Sequence, residues 1–422
     1  GRPVLSSRTI RPARAMQPHP PHPGSQHNVT TRSNCTYELK DRVMGSRSKI
    51  EWTDSTWPVV TGCTALSAGC DNCYAANHAR RFAGTKAWPN GFDVTLWPER
   101  LDQPMRWRAP RKVFVCSTAD LFHDKVPDEY IAHVFAVMQS CATHTFQVLT
   151  KRHGRMRALL NSAAFWSAVT DFGEHVMAQR PSREQYLPNH GQQHGFLPNV
   201  WLGVSVENQH WADIRIPALL DTPAAVRYLS LEPLLEPVEL RRALRKWVPP
   251  QDHPAWDGQR LRVREVLHWV IAGGESGPRA RPLHPDWVRA VRDDCVAAGI
   301  AFHFKQFGEY LPVAVTDDED FAFGRAYDHP LGGRMSPTVR VKAAGAATMR
   351  GATTRLLEPG ERTRNTVLLD RNTIAVRVGK RRAGRTLDGR IWDQYPQSVT
   401  ETALTAGTSQ VEASTTLLEA QS

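Results

Sequence analysis

Seven short apolar runs punctuate the middle of this chain, and the segments between them have helical patterning. The runs are WPVVTGC (57–63), KVFVCST (112–118), TFQVLTK (145–151), VWLGVSV (200–206), VRYLSLEPL (226–234), HWVIAGGES (268–276) and AFHFKQFG (301–308). Near-continuous apolar strands are what a parallel sheet with covered faces requires, and parallel neighbours need a crossover, usually a helix, between them. Helices are predicted over 74–83, 127–141, 208–220 and 286–298, the last with an apolar stripe in WVRAVRDDCVAAG that Gly299 closes. The pattern predicts an α/β fold, a full or partial parallel β/α barrel over 48–308, with a doubly wound open sheet as the competitor. Chemistry in a parallel barrel sits at the C-terminal strand ends. Here those ends read TGC, CSTAD, TKR, SVE, SLEP, GGES and KQFG, far more polar than the strands themselves.

The flanks differ from this body. Residues 1–47 are polar, basic and broken by proline, which predicts a disordered segment, and Met44 is a candidate initiator ahead of SKIEWTDSTW. Polar stretches at 173–198 and 241–264 are expected to be insertions. Residues 309–396 form a basic C-terminal region, and 397–422 a flexible tail rich in Thr, Ser, Ala and Glu. The formal charge of +11 is unevenly spread: residues 1–49 carry +7 and residues 340–390 carry +9, which leaves the rest at −5. Basic segments of this kind fit contact with a phosphate backbone, or else a merely solvated surface. No run of about 18 apolar residues marks a membrane-spanning helix. The N-terminus lacks the apolar stretch of a secretory signal, so a cytoplasmic location is expected.

Seven cysteines stand at Cys35, Cys63, Cys70, Cys73, Cys116, Cys141 and Cys295. An odd count in a long chain argues against a disulfide scaffold, and three thiols within eleven residues point to a metal or cluster site in a reducing compartment. The spacing C-x6-C-x2-C begins at the end of the first predicted strand and runs into a helix. A short loop can wrap three thiolates around one iron–sulfur cube, leaving the fourth iron open. Gly62 and Gly69 precede two of the cysteines and are expected to let the backbone approach a bulky group. Zinc is the alternative, with His78 completing a Cys3His set, although the six-residue gap is long for a zinc knuckle. Unliganded buried thiols are the third option, and the one that suits Cys116, Cys141 and Cys295. Trp52, Trp57, Trp201 and Trp269 are predicted to be core.

The string IEWTDSTWPVVTGCTALSAGCDNCYA resembles a phage-associated family placed near the radical S-adenosylmethionine (SAM) enzymes. The resemblance continues through STADLFHDKVP, QVLTKR, WLGVSVEN, YLSLEPLL, WVIAGGESGPRARP and FHFKQFG, and ends with VGKRRAGRTLDGRIWDQYP, so that it covers nearly all of residues 49–396. It implies a partial β/α barrel with a [4Fe–4S] cluster whose open iron takes the amino and carboxylate groups of SAM. Some members are implicated in thymidine hypermodification in bacteriophage DNA, a route to host restriction evasion. There a radical SAM isomerase converts N-α-glycinyl-thymidine to C-α-glycinyl-thymidine. The expected partners are modified DNA and an external electron donor, in the host cytoplasm if the chain is phage-encoded. A radical SAM enzyme acting on a peptide or small molecule, and a zinc-dependent DNA-binding protein without catalysis, are the alternatives.

The resemblance departs from the commonest radical SAM pattern, C-x3-C-x2-C with an aromatic residue before the last cysteine, because Asn72 holds that place. Tyr74 is expected to stack on adenine instead. Asp120 would hold the SAM amino group or ribose, unless it is a cap or turn residue. Lys151 and Arg152 would meet a SAM carboxylate or a DNA phosphate, unless they are a surface pair. Glu207 and Glu232 would bind ribose or a substrate amine. Gly273, Gly274 and Glu275 would let the backbone approach SAM, unless they form a tight turn. Lys305 would contact a substrate carboxylate or phosphate. The run GKRRAGRTLDGR divides between a phosphate-contacting loop and a solvated face.

Overall fold

The computed structural model describes residues 48–178, 189–245, 247, 263–314, 339–342, 346–349, 355–356, 365–370 and 373–396. Expectations for 1–47 and 397–422 lie outside these residues, as do parts of both predicted insertions and of the basic C-terminal region. Seven strands form one sheet: β1 (Ser55–Trp57), β2 (Lys112–Val115), β3 (Thr145–Thr150), β4 (Val200–Ser205), β5 (Val226–Leu231), β6 (Trp269–Gly273) and β7 (Ala301–Gln306). All six pairings are parallel, and the spatial order is the chain order. A doubly wound sheet must reverse direction at a switch point. None exists here, so right-handed crossovers place every helix on one face and the sheet curls into a half-barrel. β1 and β7 do not pair with each other, which settles the partial over the full barrel.

The first strand is shorter and earlier than predicted. Pro58 follows Trp57, and Val60–Thr61 pair antiparallel with Thr95–Leu96 instead of joining the main sheet. Proline has no N–H to give to a ladder, so the parallel strand stops before it. The predicted helices are present as α1 (Tyr74–Arg81), α2 (Asp128–Gln139), α5 (Gln209–Leu220) and α7 (Pro285–Ala298). Two unpredicted helices, α3 (His153–Leu160) and α4 (Ala163–Ala178), follow β3, and α6 (Leu240–Arg245) follows β5. Cys141 lies just beyond α2 rather than within it, while Cys295 is buried in α7. Among the described residues no helix is long and apolar enough to cross a membrane.

Strand alternation divides the core in two. One face of the sheet sends Val113, Val115, Phe146, Val148, Leu202, Val204, Leu229, Leu231, Val270, Ala272, Phe302 and Phe304 into the main core with the helices. The other face sends Phe114, Trp201, Tyr228, Trp269 and Ile271 into a smaller cluster that Trp52 joins. The four predicted core tryptophans are all buried. Gly203 lies on this concave face beneath Tyr228, where an added Cβ would come within 2.4 Å of the phenol ring.

Past β7 the chain forms a three-stranded antiparallel sheet of β8 (Tyr310–Ala314), β9 (Thr366–Leu368) and β10 (Thr373–Arg377). A last segment returns along the free edge of β7. Phe304 N–H donates to the Trp392 carbonyl at 2.8 Å and Gln394 N–H to the Phe302 carbonyl at 3.2 Å. The Tyr395 ring lies against Trp269 at 5.3 Å, its hydroxyl donates to the Glu51 carbonyl at 3.2 Å, and the Lys112 ammonium sits 3.9 Å from the ring centre. The half-barrel is thus bridged from β7 towards the β1 side by this strap, at the end away from the strand C-termini.

Candidate metal centre

The cysteine loop leaves the β1 side of the sheet through Gly62. That residue has φ of +84°, and a Cβ there would sit 2.2 Å from the Asp93 carbonyl oxygen, so only glycine fits. Cys63 N–H donates to the Phe92 carbonyl at 3.1 Å. The loop makes one 3₁₀ turn at Ala68–Cys70, and Cys73 leads into α1. All three cysteines are half-buried and none is in a disulfide. Among the described residues, only His284, Asp286 and Asp370 bring three potential ligand atoms within 4.8 Å of one another, so Cys63, Cys70 and Cys73 stand wider apart than that. The His78 ring packs on Phe82 at 4.6 Å and Trp88 at 5.9 Å.

Three carboxylates at strand ends seat the loop, Asp120 and Glu275 with the help of an arginine and Glu207 through the Ser67 hydroxyl. Asp120, after β2, is buried and accepts from Phe122 N–H (3.0 Å), Thr150 Oγ1 (2.7 Å), Lys151 N–H (3.0 Å) and Arg152 Nη1 (3.3 Å). The Arg152 guanidinium reaches on to Cys63 Sγ at 3.6 Å and to the Thr64 carbonyl and hydroxyl at 3.3 and 2.9 Å. Glu207, after β4, has no exposed surface. It accepts from Ser67 Oγ at 2.8 Å, from Arg215 Nη1 at 2.8 Å and from Lys151 Nζ. Gly69 lies against it, and a Cβ there would meet Glu207 Cγ at 2.5 Å. Glu275, after β6, accepts from Asn72 Nδ2 at 3.0 Å and from Arg281 through Nε at 3.0 Å and Nη2 at 2.7 Å. Arg281 in turn donates to the Ala68 carbonyl at 2.8 Å and to Asp71 at 3.2 Å.

These contacts change several expectations. The room beside Gly62 and Gly69 is taken by Asp93 and Glu207 rather than kept for a bulky group. Gly274 approaches β7, where a Cβ would meet the Phe307 carbonyl at 2.1 Å, and Gly273 faces Lys305 and Glu232. Asp120, Glu207 and Glu275 spend their oxygens on the protein. Asn72, whose position broke the usual pattern, ties the loop to Glu275 and to the Arg279 carbonyl at 2.9 Å. Glu232 and Lys305 form a two-pronged ion pair at 2.7 and 2.9 Å across the mouth. Tyr74 is exposed, with its hydroxyl donating to the Ser117 carbonyl. Ser67, Arg215 and Arg281 escaped the sequence analysis. Parity offered one signal: counting in twos from Trp201 and Tyr228 reaches Glu207 and Glu232 on the concave side.

The electrostatics divide the thiols. Burial, with Asp120 nearby, pushes the Cys63 thiol up to about 11, against the pull of Arg152. Burial also works to raise Cys70, but the Lys151 ammonium and hydrogen bonds from Leu66 and Ser67 outweigh it and hold the thiol below its usual value. Burial draws the Lys151 ammonium down to about 8, although the Cys70 and Cys73 thiolates favour its charged form. Burial opposes the charge on Glu275, yet the hydrogen bonds from Arg281 and Asn72 keep that carboxyl below the ordinary range. A site that lowers one thiol and places two cations beside the loop is suited to holding thiolates.

Solved structures titled spore photoproduct lyase resemble this fold. The one complexed with a dinucleoside spore photoproduct has 10% identity and a TM-score of 0.31, covering 60% of this chain and 64% of its own. A cysteine-to-alanine mutant with the same dinucleoside has 9% identity and a TM-score of 0.31, covering 68% and 70%. This chain therefore spans about 64% of the length of the first of them. No curated protein sequence matches it. Residues 47–396, which include every strand of the half-barrel and the whole cysteine loop, match the family described as "Protein of unknown function (DUF5131)", and the chain belongs to that family.

Proposed function

We propose that this chain is a radical SAM enzyme holding a [4Fe–4S] cluster on Cys63, Cys70 and Cys73. The observation that carries the proposal is one loop bearing three thiols, set across the C-terminal mouth of a singly wound half-barrel and pinned by three strand-end carboxylates. The donor set fits the group: three soft sulfur ligands on one loop, one of them a thiol of lowered pKa. A mononuclear zinc site would need its sulfurs about 3.8 Å apart, from Zn–S bonds of about 2.3 Å at tetrahedral angles. The three thiols and His78 are not gathered within 4.8 Å of one another. When bound, the cluster supplies one electron to SAM, whose cleavage yields a 5′-deoxyadenosyl radical for hydrogen abstraction. In this reading Tyr74, whose ring is exposed, stacks on the adenine of SAM, and Glu232 and Lys305, paired with each other across the mouth, take a substrate amine and carboxylate.

The substrate proposed is nucleic acid, and in its most specific form the reaction is isomerisation of N-α-glycinyl-thymidine to C-α-glycinyl-thymidine in phage DNA. The sequence resemblance supports the isomerase reading. A basic shoulder beside the mouth supports the nucleic acid. Val378 and Gly379 N–H groups both donate to the Glu309 carbonyl at 3.0 Å, and Phe307 N–H to the Gly384 carbonyl at 3.2 Å. Lys380, Arg381 and Arg382 therefore lie immediately past the C-terminal end of β7, near Glu275, and they are exposed. Anaerobic reconstitution with iron and sulfide, followed by SAM and dithionite, tests the proposal. Four irons per chain and release of 5′-deoxyadenosine are expected, and alanine at any of the three cysteines should abolish both. Bound zinc without SAM cleavage would overturn the proposal.

A further inference from the structure

Arg152 makes a contact that loop anchoring alone does not require. One of its nitrogens, Nη1, donates both to Asp120 at 3.3 Å and to Cys63 Sγ at 3.6 Å, while Nη2 donates to Thr64. Its side chain is 8% exposed and that of Asp120 is 7% exposed, so solvent screens the group poorly. Asp120 is itself fixed by Phe122, Thr150 and Lys151, which prevents the guanidinium from swinging away. Among the described residues, no other cation donates a hydrogen bond to any of the three thiols. Lys151, the nearest rival, spends its ammonium on Glu207.

We infer that Arg152 is a positioning residue that raises the reduction potential of the group bound at Cys63, by donating an N–H to the ligand sulfur. This rests on the cluster proposal above. The physics is that of charge. Reduction adds one electron to a thiolate-bound cluster, and a fixed cation with a hydrogen bond to sulfur stabilises the more negative state. Asp120 offsets part of the charge but has no hydrogen to give to sulfur, so its main effect is to orient the guanidinium. The electron comes from an external one-electron reductant, and no bond is made or broken in the step that Arg152 influences.

The test is a redox titration of the anaerobically reconstituted full chain, followed by the electron paramagnetic resonance signal of the reduced cluster, with iron counted in every sample. Arg152→Met should keep its iron and show a tenfold smaller reduced-to-oxidised ratio at a fixed applied potential, a midpoint lowered by about 59 mV for one electron. Thr64→Val removes a contact to Nη2 but leaves the N–H···S contact, so its midpoint should match the wild type. If Arg152→Met does not retain iron, Arg152→Lys carries the test. It keeps the charge but loses the planar fork, and a smaller shift in the same direction is expected. Equal midpoints for an iron-loaded Arg152 variant and the wild type would overturn this inference while leaving the cluster in place. A wild-type chain that takes up no iron would overturn the function proposal itself.

Discussion

Single side chains decide whether the cysteine loop can hold its shape, and Gly69 is the clearest case. Its φ is not in the left-handed region, so glycine is not needed there for backbone reasons. It is needed because Glu207 occupies the space, with Cγ 2.5 Å and Oε1 2.6 Å from where a Cβ would stand. Glu207 cannot yield easily, being fully buried and held by Ser67, Lys151 and Arg215. Gly69→Ala should therefore displace the loop, at a cost of about 1–3 kcal/mol for overpacking. The expected outcome is a lowered thermal midpoint together with at least a several-fold loss of bound iron after reconstitution. Normal iron loading would show that the loop reseats without the Glu207 contact. The thiols and the polar strand ends were legible from sequence because their residue types are chemically conspicuous. The roles of Asp120, Glu207 and Glu275 were not, since a carboxylate's partner is set by tertiary placement: Arg281 is six residues from Glu275 but more than two hundred from Asp71.

At the scale of elements, the strap 392–395 and the concave face of the sheet form a second system that the apolar pattern did not show. Sequence periodicity places the strands because burial on two faces demands continuous apolar runs. It says nothing of a segment about ninety residues downstream that pairs with a strand edge. β1 was misplaced for a local reason, since WPVVTGC looks like one strand until Pro58 divides it. His303 sits where these elements meet, between Trp269 and Tyr395, with both ring nitrogens buried and unpartnered. Burial, with Arg385 and Lys305 nearby, pulls its pKa down to about 4, against the opposing pull of Asp393 and Glu51. Because the folded value lies below the unfolded value of about 6.5, the unfolded chain binds more protons in that interval. The stability that His303 contributes is present above about pH 6.5 and is lost as the pH falls towards 4. Denaturant unfolding at pH 7 and pH 5 should show wild type losing stability on acidification. His303→Leu, which removes the proton site, should lose about 1–2 kcal/mol less between the two pH values. Equal acid sensitivity in both proteins would rule out His303 as a source.

Taken whole, the molecule confines its positive charge to particular places. Residues 50–308, which hold the half-barrel, carry 29 Lys/Arg against 26 Asp/Glu, a net of +3, whereas residues 340–390 carry +9. The charges of the half-barrel nearly balance, so a nucleic acid approaching this chain is drawn to the denser positive charge of the basic parts. Of these, the turn at Lys380–Ala383 is fixed against residues 307–309 and so held close to the cysteine loop. The side chains of Lys380, Arg381 and Arg382 donate no hydrogen bond and form no ion pair among the described residues, unlike those of Arg289 and Arg292, which pair with Asp286, Asp293 and Asp388. Three unneutralised cations on a fixed support should each displace one counterion from DNA. The slope of log K against log salt changes by about 0.9 per phosphate contact on duplex and about 0.7 on a single strand. Replacing all three by glutamine should therefore flatten the duplex slope by up to about 2.7, and a single-strand slope by about 2.1. Fluorescence anisotropy with labelled duplex and single-stranded oligonucleotides from 50 to 300 mM salt measures both. The ratio of the two changes tells which form of the nucleic acid lies on the shoulder. An unchanged slope in the triple variant would move any DNA contact away from this turn and leave the approach to the cysteine loop without its electrostatic guide.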